Sequence, residues 1–238
     1  MKSPTPVDPL TFAFIAVKIT LVIFAEFVVI AFLLFYGAGT VHWAGGWAFL
    51  LLATGSLIPA TIALIVHDPG LVDARTKLAP KGQPGADRLF VPAHTLMMLV
   101  WAGVAGIDSV RHHWSYVPLA LRIVAAAVIP LATWAGYLTM RQNPYLATCV
   151  YVQDDRAHRV VDHGLYAVVR HPFYAVTIAY QICASLVLGS WLSVFVALIV
   201  AVMLALRIRV EERYLARELA GYAAYQRHTP WRLVPGLW

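Results

Sequence analysis

Residues 172–206 read PFYAVTIAYQICASLVLGSWLSVFVALIVAVMLAL, two apolar runs separated only by Gly189 and Ser190. A helix needs about 20 apolar residues to cross the hydrocarbon core of a bilayer, which is about 30 Å thick. The two runs, Pro172–Leu188 and 191–206, are each close to that length. We therefore predict that they form a tight helical hairpin within a membrane.

Four longer apolar runs precede the hairpin, at residues 12–36, 43–66, 89–107 and 117–140. The chain is 61% hydrophobic and 13% charged, whereas soluble domains are about 45 to 50% apolar and about 25% charged. This composition excludes a soluble domain. The sequence predicts an all-α fold, a polytopic membrane helical bundle of about six spans with a C-terminal hairpin and a cytosolic amphipathic helix. No linker or repeat divides residues 1–238, so we expect one integral membrane domain.

The basic residues are distributed unequally between the two sides of this predicted bundle. Fifteen of the 18 Lys and Arg residues fall on the side that carries both termini, and Arg111 alone falls on the other. Because cytoplasmic loops are enriched in Lys and Arg, we predict cytoplasmic termini and a cytoplasmic active site, in a bacterial-type inner membrane or an equivalent. The basic residues lie beside apolar spans, so the net charge of +6 predicts membrane lipids as partners and no nucleic acid.

Two segments on the predicted cytoplasmic side are longer than a helical bundle requires. Residues 141–170 form a connection of about thirty residues, and ordered loops of that length are commonly functional. Residues 208–228 are predicted to continue as an amphipathic helix, which Gly221 could interrupt, and which lies at the membrane surface and packs against the loop. Its apolar residues recur at helical spacing: Val210, Tyr214, Leu215, Leu219 and Tyr222.

Two clusters of charged residues flank the hairpin. Pro172 suits the first turn of a helix, which places Arg170 and His171 at a helix N-terminus where free N–H groups favour an anion. The alternative is a basic interfacial loop with tyrosines anchored at the membrane surface. Beyond the second run, Glu211 and Glu212 could hold an ammonium or sulfonium cation, or could be solvated charges paired with nearby arginines. Together the two clusters match a zwitterionic amino-acid group.

The two clusters also belong to a recognisable motif. Gly164-x-Tyr166-x-x-Val169-Arg170-His171-Pro172-x-Tyr174, then Glu211-Glu212-x-x-Leu215, Tyr222-x-x-Tyr225 and a Trp231-Arg232-Leu233-Val234-Pro235 ending resemble the isoprenylcysteine carboxyl methyltransferase family, a group similar to phospholipid methyltransferases. The resemblance covers roughly residues 143–238. The chain departs from the pattern at Leu165, where the family often has Pro, and at Val176, where the motif would place Gly.

The resemblance implies a membrane-embedded methyltransferase that uses S-adenosylmethionine, with residues 141–238 as its cofactor-binding catalytic portion. No metal is implied, and neither Cys149 nor Cys183 has the spacing of a metal ligand. The implied cofactor-binding residues are Tyr166, Val169, Arg170, His171, Pro172, Tyr174, Glu211 and Glu212.

The methyl acceptor is expected to be a lipophilic or small molecule with a carboxylate, thiol or amine. A carboxylate needs no general base, whereas an amine or thiol must lose a proton. His163 is the predicted base, with His171 as an alternative, and Arg213 or Arg217 would steer an anionic acceptor. These three, His163, Arg213 and Arg217, are the predicted catalytic residues.

Other interpretations stay open at this stage. One is a membrane reductase that uses a nicotinamide cofactor, and another is a transporter or lipid-binding protein without enzymatic activity. Glu26 lies deep in the first span, where we expect it to be hydrogen-bonded within the bundle. The oligomeric state is not predicted by the sequence.

Overall fold

A computed structural model describes residues 9–76 and 82–238, apart from the side chain of Thr11. Lys2, Lys77 and Lys81, which contribute to the predicted charge asymmetry, lie outside the described residues. The described residues contain no strand. Their α-helices are α1 (Pro9–Ala38), α2 (Ala44–His67), α3 (Pro69–Arg75), α4 (Gly85–Gly106), α5 (Leu119–Gln142), α6 (Pro172–Leu188), α7 (Trp191–Glu218) and α8 (Tyr222–His228).

The predicted helical membrane bundle is confirmed. Within the described residues, five helices are long and apolar enough to cross a membrane: α1, α2, α4 with the π-helical turn Ile107–Arg111 that follows it, α5 and α7. The sixth apolar helix, α6, has 17 residues, which is at the lower end of the range for a span. The chain is an integral membrane protein.

The predicted hairpin between α6 and α7 is also confirmed, and local chemistry explains its turn. Gly189 adopts φ +81°, a left-handed conformation that glycine accepts without steric cost, and its N–H donates to the Leu186 carbonyl. Ser190 then caps α7, because its Oγ accepts a hydrogen bond from the Ser193 N–H at 2.9 Å. Asp108, at the end of α4, accepts hydrogen bonds from Ser190 Oγ and the Leu192 N–H, which fixes the hairpin against α4.

Close backbone contact joins α1 to α4 near the same face as the hairpin turn. A Cβ atom on Gly37 would lie 2.3 Å from the Gly103 carbonyl oxygen, and one on Gly106 would lie 2.2 Å from the Leu34 carbonyl oxygen. The other half of α1 instead packs through Ile15 and Ile19 in an apolar cluster with α3 and the end of α2. The bundle therefore has two different ends. At one end, near the hairpin turn, α1 and α4 pack closely, and at the other end lie α3 and the long loop.

The segment 208–228 forms two helices, since α7 ends at Glu218 and Gly221, at φ +85°, separates it from α8. This is the position at which the sequence allowed an interruption. The predicted packing of this segment against the long loop is confirmed, because Leu219 and Tyr222 contact Val152 and Val160. The prediction for Glu26 is wrong: its side chain is exposed and makes no hydrogen bond with the described residues. The short helix α3, capped by the Asp68 side chain, was not predicted.

Candidate functional site

The long connection between α5 and α6 is ordered by contacts with the helix ends around it. Gln142 at the end of α5 accepts a hydrogen bond from the Leu165 N–H at 2.8 Å. Thr148 Oγ1 donates to the Arg75 carbonyl oxygen at 2.7 Å, which ties the loop to α3. The loop includes two short 3-10 turns, Asp154–Arg156 and Gly164–Ala167. The connection is thus held in one position above the helix ends.

A buried ion pair joins the loop to α4 and α7. Asp87 Oδ1 accepts from Arg207 Nε at 2.8 Å, and Asp87 Oδ2 accepts from the Val150 N–H at 2.8 Å. Arg207 also donates to the Thr148 carbonyl and places its guanidinium carbon 4.2 Å from the centre of the Phe90 ring. Buried charges are stable only when such partners surround them. These contacts position the first part of the loop beside the start of α6.

Glu212 is the centre of a second buried charge cluster. Its Oε1 accepts from Arg170 Nε at 2.6 Å and lies 3.2 Å from His171 Nε2. Its Oε2 accepts from Arg232 Nε at 2.9 Å. The Arg170 and Glu212 side chains are each 5% exposed, so this carboxylate is neutralised inside the protein rather than solvated.

The C-terminal segment covers the start of α6. The backbone N–H groups of Arg170 and His171 donate to the carbonyls of Trp231 and Arg232, each at 2.9 Å. The Arg170 guanidinium also donates from Nη1 to the Thr229 and Pro230 carbonyls. The N–H groups of Arg170 and His171, which precede the first turn of α6, are therefore already bonded within the chain.

Glu211 and Glu212 point in different directions, although the sequence grouped them as one cation site. Glu211 Oε2 accepts a hydrogen bond from the Tyr174 hydroxyl at 2.7 Å, and this residue borders an open cleft. Glu212 lies behind the cleft wall with its arginine partners. Neighbouring residues on a helix are about 100° apart around its axis, so two adjacent carboxylates cannot face the same point.

The cleft lies between the long loop, the start of α6, the end of α7 and α8. Its cavity volume is about 60 Å³, below the range of about 300 to 1,000 Å³ that is typical of small-molecule sites, so the cleft is narrow in this structure. Val169, Pro172 and Glu212 are buried and do not border it. The predicted cofactor-binding residues that do line it are Tyr166, Arg170, His171, Tyr174 and Glu211.

The cleft also contains a histidine that the sequence analysis did not select. His158 stacks on Tyr145 with ring centres 4.2 Å apart, and its Nδ1 lies 3.3 Å from the Gln153 N–H, which donates to it. Burial and the nearby charge of Arg156 lower the pKa of His158 from 6.5 to about 4. His158 is therefore neutral at pH 7, with its proton on Nε2. Its neighbour Arg159 is exposed and also borders the cleft.

Aromatic rings form much of the cleft wall. Tyr222 and Tyr225 of α8 pack edge to face with ring centres 5.7 Å apart, and Tyr225 donates from its hydroxyl to the Tyr166 carbonyl at 2.7 Å. Burial raises the pKa of both α8 tyrosines, so both are uncharged at neutral pH. The Tyr166 hydroxyl is buried close to Asn143, but it forms no hydrogen bond with the described residues. These rings suit a flat base or a cation.

The three predicted catalytic residues are not brought to the cleft. His163 is exposed and does not line it. Arg213 and Arg217 are exposed on α7, and Arg213 borders a separate open groove with Arg209 and Arg232. These residues lie on segments that border the cleft, but sequence spacing could not determine which side of each segment faces it. Their predicted catalytic roles stay untested.

No curated protein matches this chain. The isoprenylcysteine carboxyl methyltransferase (ICMT) family model matches residues 123–217, which include most of α5, the long loop, α6 and nearly all of α7. The cleft residues of α8 lie beyond this region. The match agrees with the motif in the sequence and with the helices that surround the cleft. The match assigns residues 123–217 to the isoprenylcysteine carboxyl methyltransferase family, whose members are S-adenosylmethionine-dependent membrane methyltransferases.

Proposed function

We propose that the cleft binds S-adenosylmethionine and that the protein transfers its methyl group to a lipophilic acceptor at the cytoplasmic face of the membrane. The observation that carries this proposal is the convergence of Glu211, His158 and Arg159 with a set of tyrosine rings in one cleft. Because the matched family consists of methyltransferases, methyl transfer takes precedence over the nicotinamide-dependent reductase and the transporter that the sequence left open.

The residues of the cleft fit the chemical groups of this cofactor. Glu211 has one carboxylate oxygen bonded to Tyr174, which leaves Oε1 for an ammonium or sulfonium group. Arg159 at the cleft edge suits a carboxylate, since guanidinium groups recognise carboxylates by charge and shape. Tyr222 and Tyr225 provide flat apolar surfaces for an adenine ring. A zwitterionic ligand with an aromatic base is thereby matched by acidic, basic and aromatic side chains.

His158 is proposed to donate a hydrogen bond from Nε2 to the cofactor rather than to act as a base. Its Nδ1 lone pair already accepts from the Gln153 N–H, and its pKa of about 4 makes it a weak proton acceptor. When bound, the cofactor supplies an electrophilic methyl group on a sulfonium. The side chains of the cleft then have to orient this group, exclude water and leave one side of it open to the acceptor.

The buried cluster of Arg170, His171, Arg232 and Glu212 is proposed to support the cleft from behind. Arg170 and His171 line the cleft on one side and contact Glu212 on the other. Glu212 would therefore hold these two side chains in position and affect the cofactor indirectly. The cytoplasmic orientation of this face rests on the concentration of Lys and Arg residues there.

Calorimetry on the purified protein tests the proposal with two histidine variants. We expect wild-type protein to bind S-adenosylhomocysteine, and His158→Ala to weaken this binding by about tenfold, the effect of one buried hydrogen bond. The matched control is His163→Ala, which removes an exposed imidazole five residues away and should leave the affinity within about twofold. Binding that is lost in His163→Ala and retained in His158→Ala would contradict this assignment of the cleft.

A further inference from the structure

A second groove, which we call the arginine groove, lies beside α7 and is separate from the cleft. Arg209 and Arg213 of α7 line it together with Arg232 of the C-terminal segment. Its volume is about 650 Å³, within the range of about 300 to 1,000 Å³ that is typical of ligand sites. None of the three arginines lines the cleft. The protein therefore has an open basic groove that the proposed methyl transfer does not use.

The arginine groove carries an excess of positive charge. Among residues 9–76 and 82–238, no carboxylate forms an ion pair with Arg209 or Arg213. Arg232 does pair with Glu212, at 2.9 Å between Nε and Oε2. That carboxylate is already paired with the buried Arg170, so it does not neutralise the groove. An anion that enters the groove meets three guanidinium groups and one carboxylate that is already compensated.

The guanidinium groups also keep hydrogen-bond donors for an anion. Arg213 donates from Nε to the Arg209 carbonyl oxygen at 3.0 Å, and Arg232 donates from Nε to Glu212. The terminal nitrogens of both side chains are not used in these two bonds. Because a guanidinium group has five N–H donors in a planar fork, it matches the oxygens of a phosphate group. The chemistry of the groove therefore favours a phosphate.

The face of α7 that leads to the arginine groove is apolar. Six residues of this helix follow one another at alternating intervals of four and three positions, which places them along one side of a helix. The first four are apolar and between 39% and 63% exposed, and the last two are the arginines of the groove. The six residues are Phe195, Ile199, Val202, Leu206, Arg209 and Arg213. We call the first four the apolar ridge of α7.

The arginines of α7 lie at the level where this helix leaves the hydrocarbon core. Arg209 is 18 residues beyond Trp191, the first residue of α7 (209 − 191 = 18). At about 1.5 Å per residue, this distance is about 27 Å, close to the thickness of about 30 Å of the hydrocarbon core. Trp191 is 46% exposed and suits the opposite interface, where tryptophan is enriched. Arg209 and Arg213 are therefore at the height of lipid headgroups.

We propose that the arginine groove binds the headgroup of an anionic phospholipid and that the acyl chains of this lipid lie along the apolar ridge of α7. The phosphate accepts hydrogen bonds from the arginines, and a net negative headgroup balances their charge. A choline headgroup adds a cation that the same arginines repel, which gives the site its selectivity. The lipid is a bound partner and not the methyl acceptor, because Glu212 and its partners separate the groove from the cleft.

A diffuse attraction is the alternative explanation. Anionic membranes attract any basic surface, by about 1 kcal/mol for each Lys or Arg near the headgroups. Such an attraction depends on the total charge of this side of the protein. A built site depends instead on which arginines are present. Two variants that lose the same charge at different places therefore distinguish the two explanations.

Native mass spectrometry of the purified protein tests the site. The protein is incubated with equal amounts of phosphatidylglycerol and phosphatidylcholine that have the same acyl chains, and the lipids bound to the intact protein are counted. We expect wild-type protein to prefer phosphatidylglycerol by about fivefold, and Arg209→Gln/Arg213→Gln to prefer it by less than about twofold. Arg209→Lys/Arg213→Lys should keep part of the preference, because lysine also binds phosphate, as a point charge.

The matched control is Arg141→Gln/Arg227→Gln. It removes two charges from exposed arginines that line neither the cleft nor the arginine groove, and it should keep the full preference. Thermal unfolding shows whether each variant is folded. Should the double variant at Arg209 and Arg213 fail to fold, the two single variants replace it, and each should lose part of the preference.

Three results would overturn the proposal. The first is equal binding of the two lipids by wild-type protein, or a preference that Arg209→Gln/Arg213→Gln keeps. The second is an equal loss in the control, which would show a diffuse attraction. The third is displacement of phosphatidylglycerol by millimolar inorganic phosphate, which would assign the groove to a soluble anion. None of these results depends on whether the cleft binds S-adenosylmethionine.

Discussion

Arg170 Nε and Glu212 Oε1 lie 2.6 Å apart and join the start of α6 to α7 within a buried cluster. The two residues are separated by 42 positions in the chain. His171 and Arg232 contact the same carboxylate, so four side chains from three segments share one charge cluster. The wall of the cleft therefore depends on a pairing that only the folded chain creates.

Removal of the Glu212 carboxylate should destabilise the protein more than it changes any ligand contact. Glu212→Ala would leave Arg170 buried without its partner, and loss of one member of a buried ion pair typically costs about 3 to 5 kcal/mol. Denaturant unfolding in detergent measures this loss. Glu218→Ala, which alters an exposed carboxylate near the end of the same helix, should change stability by less than about 0.5 kcal/mol. Stability equal to wild type together with lost cofactor affinity would instead indicate that Glu212 contacts the cofactor directly.

The half-buried imidazole of His158 predicts a specific loss of stability in acid. The pKa of His158 is about 4 in the folded protein, whereas the ordinary pKa of a histidine is 6.5. Between pH 4 and pH 6.5 the unfolded chain therefore binds a proton at this residue more readily than the folded chain does. Its contribution to stability is therefore complete above pH 6.5 and is lost as the pH falls towards 4. Thermal unfolding over this pH range checks the prediction. The pH dependence should be weaker in His158→Gln and unchanged in His163→Gln, and equal profiles for wild type and His158→Gln would contradict it.

The close contact between α1 and α4 predicts different effects for two glycines of α4. Gly106→Ala would place a methyl group 2.2 Å from the Leu34 carbonyl oxygen, so the helices would have to separate. Overpacking of this kind typically costs about 1 to 3 kcal/mol. A Cβ atom at Gly103 would have no heavy atom within 4 Å, so Gly103→Ala should be tolerated. Thermal unfolding of the two variants decides the matter, and equal melting temperatures would show that the helices are not in this close contact.

Local sequence signals were sufficient to predict much of the fold. Pro172 and Gly189 mark the two ends of α6, because proline favours the first turn of a helix and glycine accepts the left-handed conformation that follows the last turn. The long apolar runs predicted the membrane spans, because the thickness of the hydrocarbon core sets the length of a spanning helix. These features depend on residues that are neighbours in the chain.

The site was predicted less completely, because its geometry depends on contacts between distant segments. The motif identified Arg170 and Glu212, but not that they neutralise each other, nor that the backbone of the C-terminal segment bonds the start of α6. His158 was overlooked in favour of His163, although both lie in the same loop. Only the path of the folded loop shows that His158 faces the cleft and His163 faces outward.

The central claim is that this cleft is the S-adenosylmethionine site. Ultraviolet cross-linking with S-adenosylmethionine labelled in its methyl group, followed by mass spectrometry of the peptides, tests it most directly. We predict that the label is attached within residues 158–174 or 211–225, the segments that carry most of the cleft wall, and that excess S-adenosylhomocysteine prevents labelling. Label in neither segment, or label that persists in the presence of the competitor, would contradict the account.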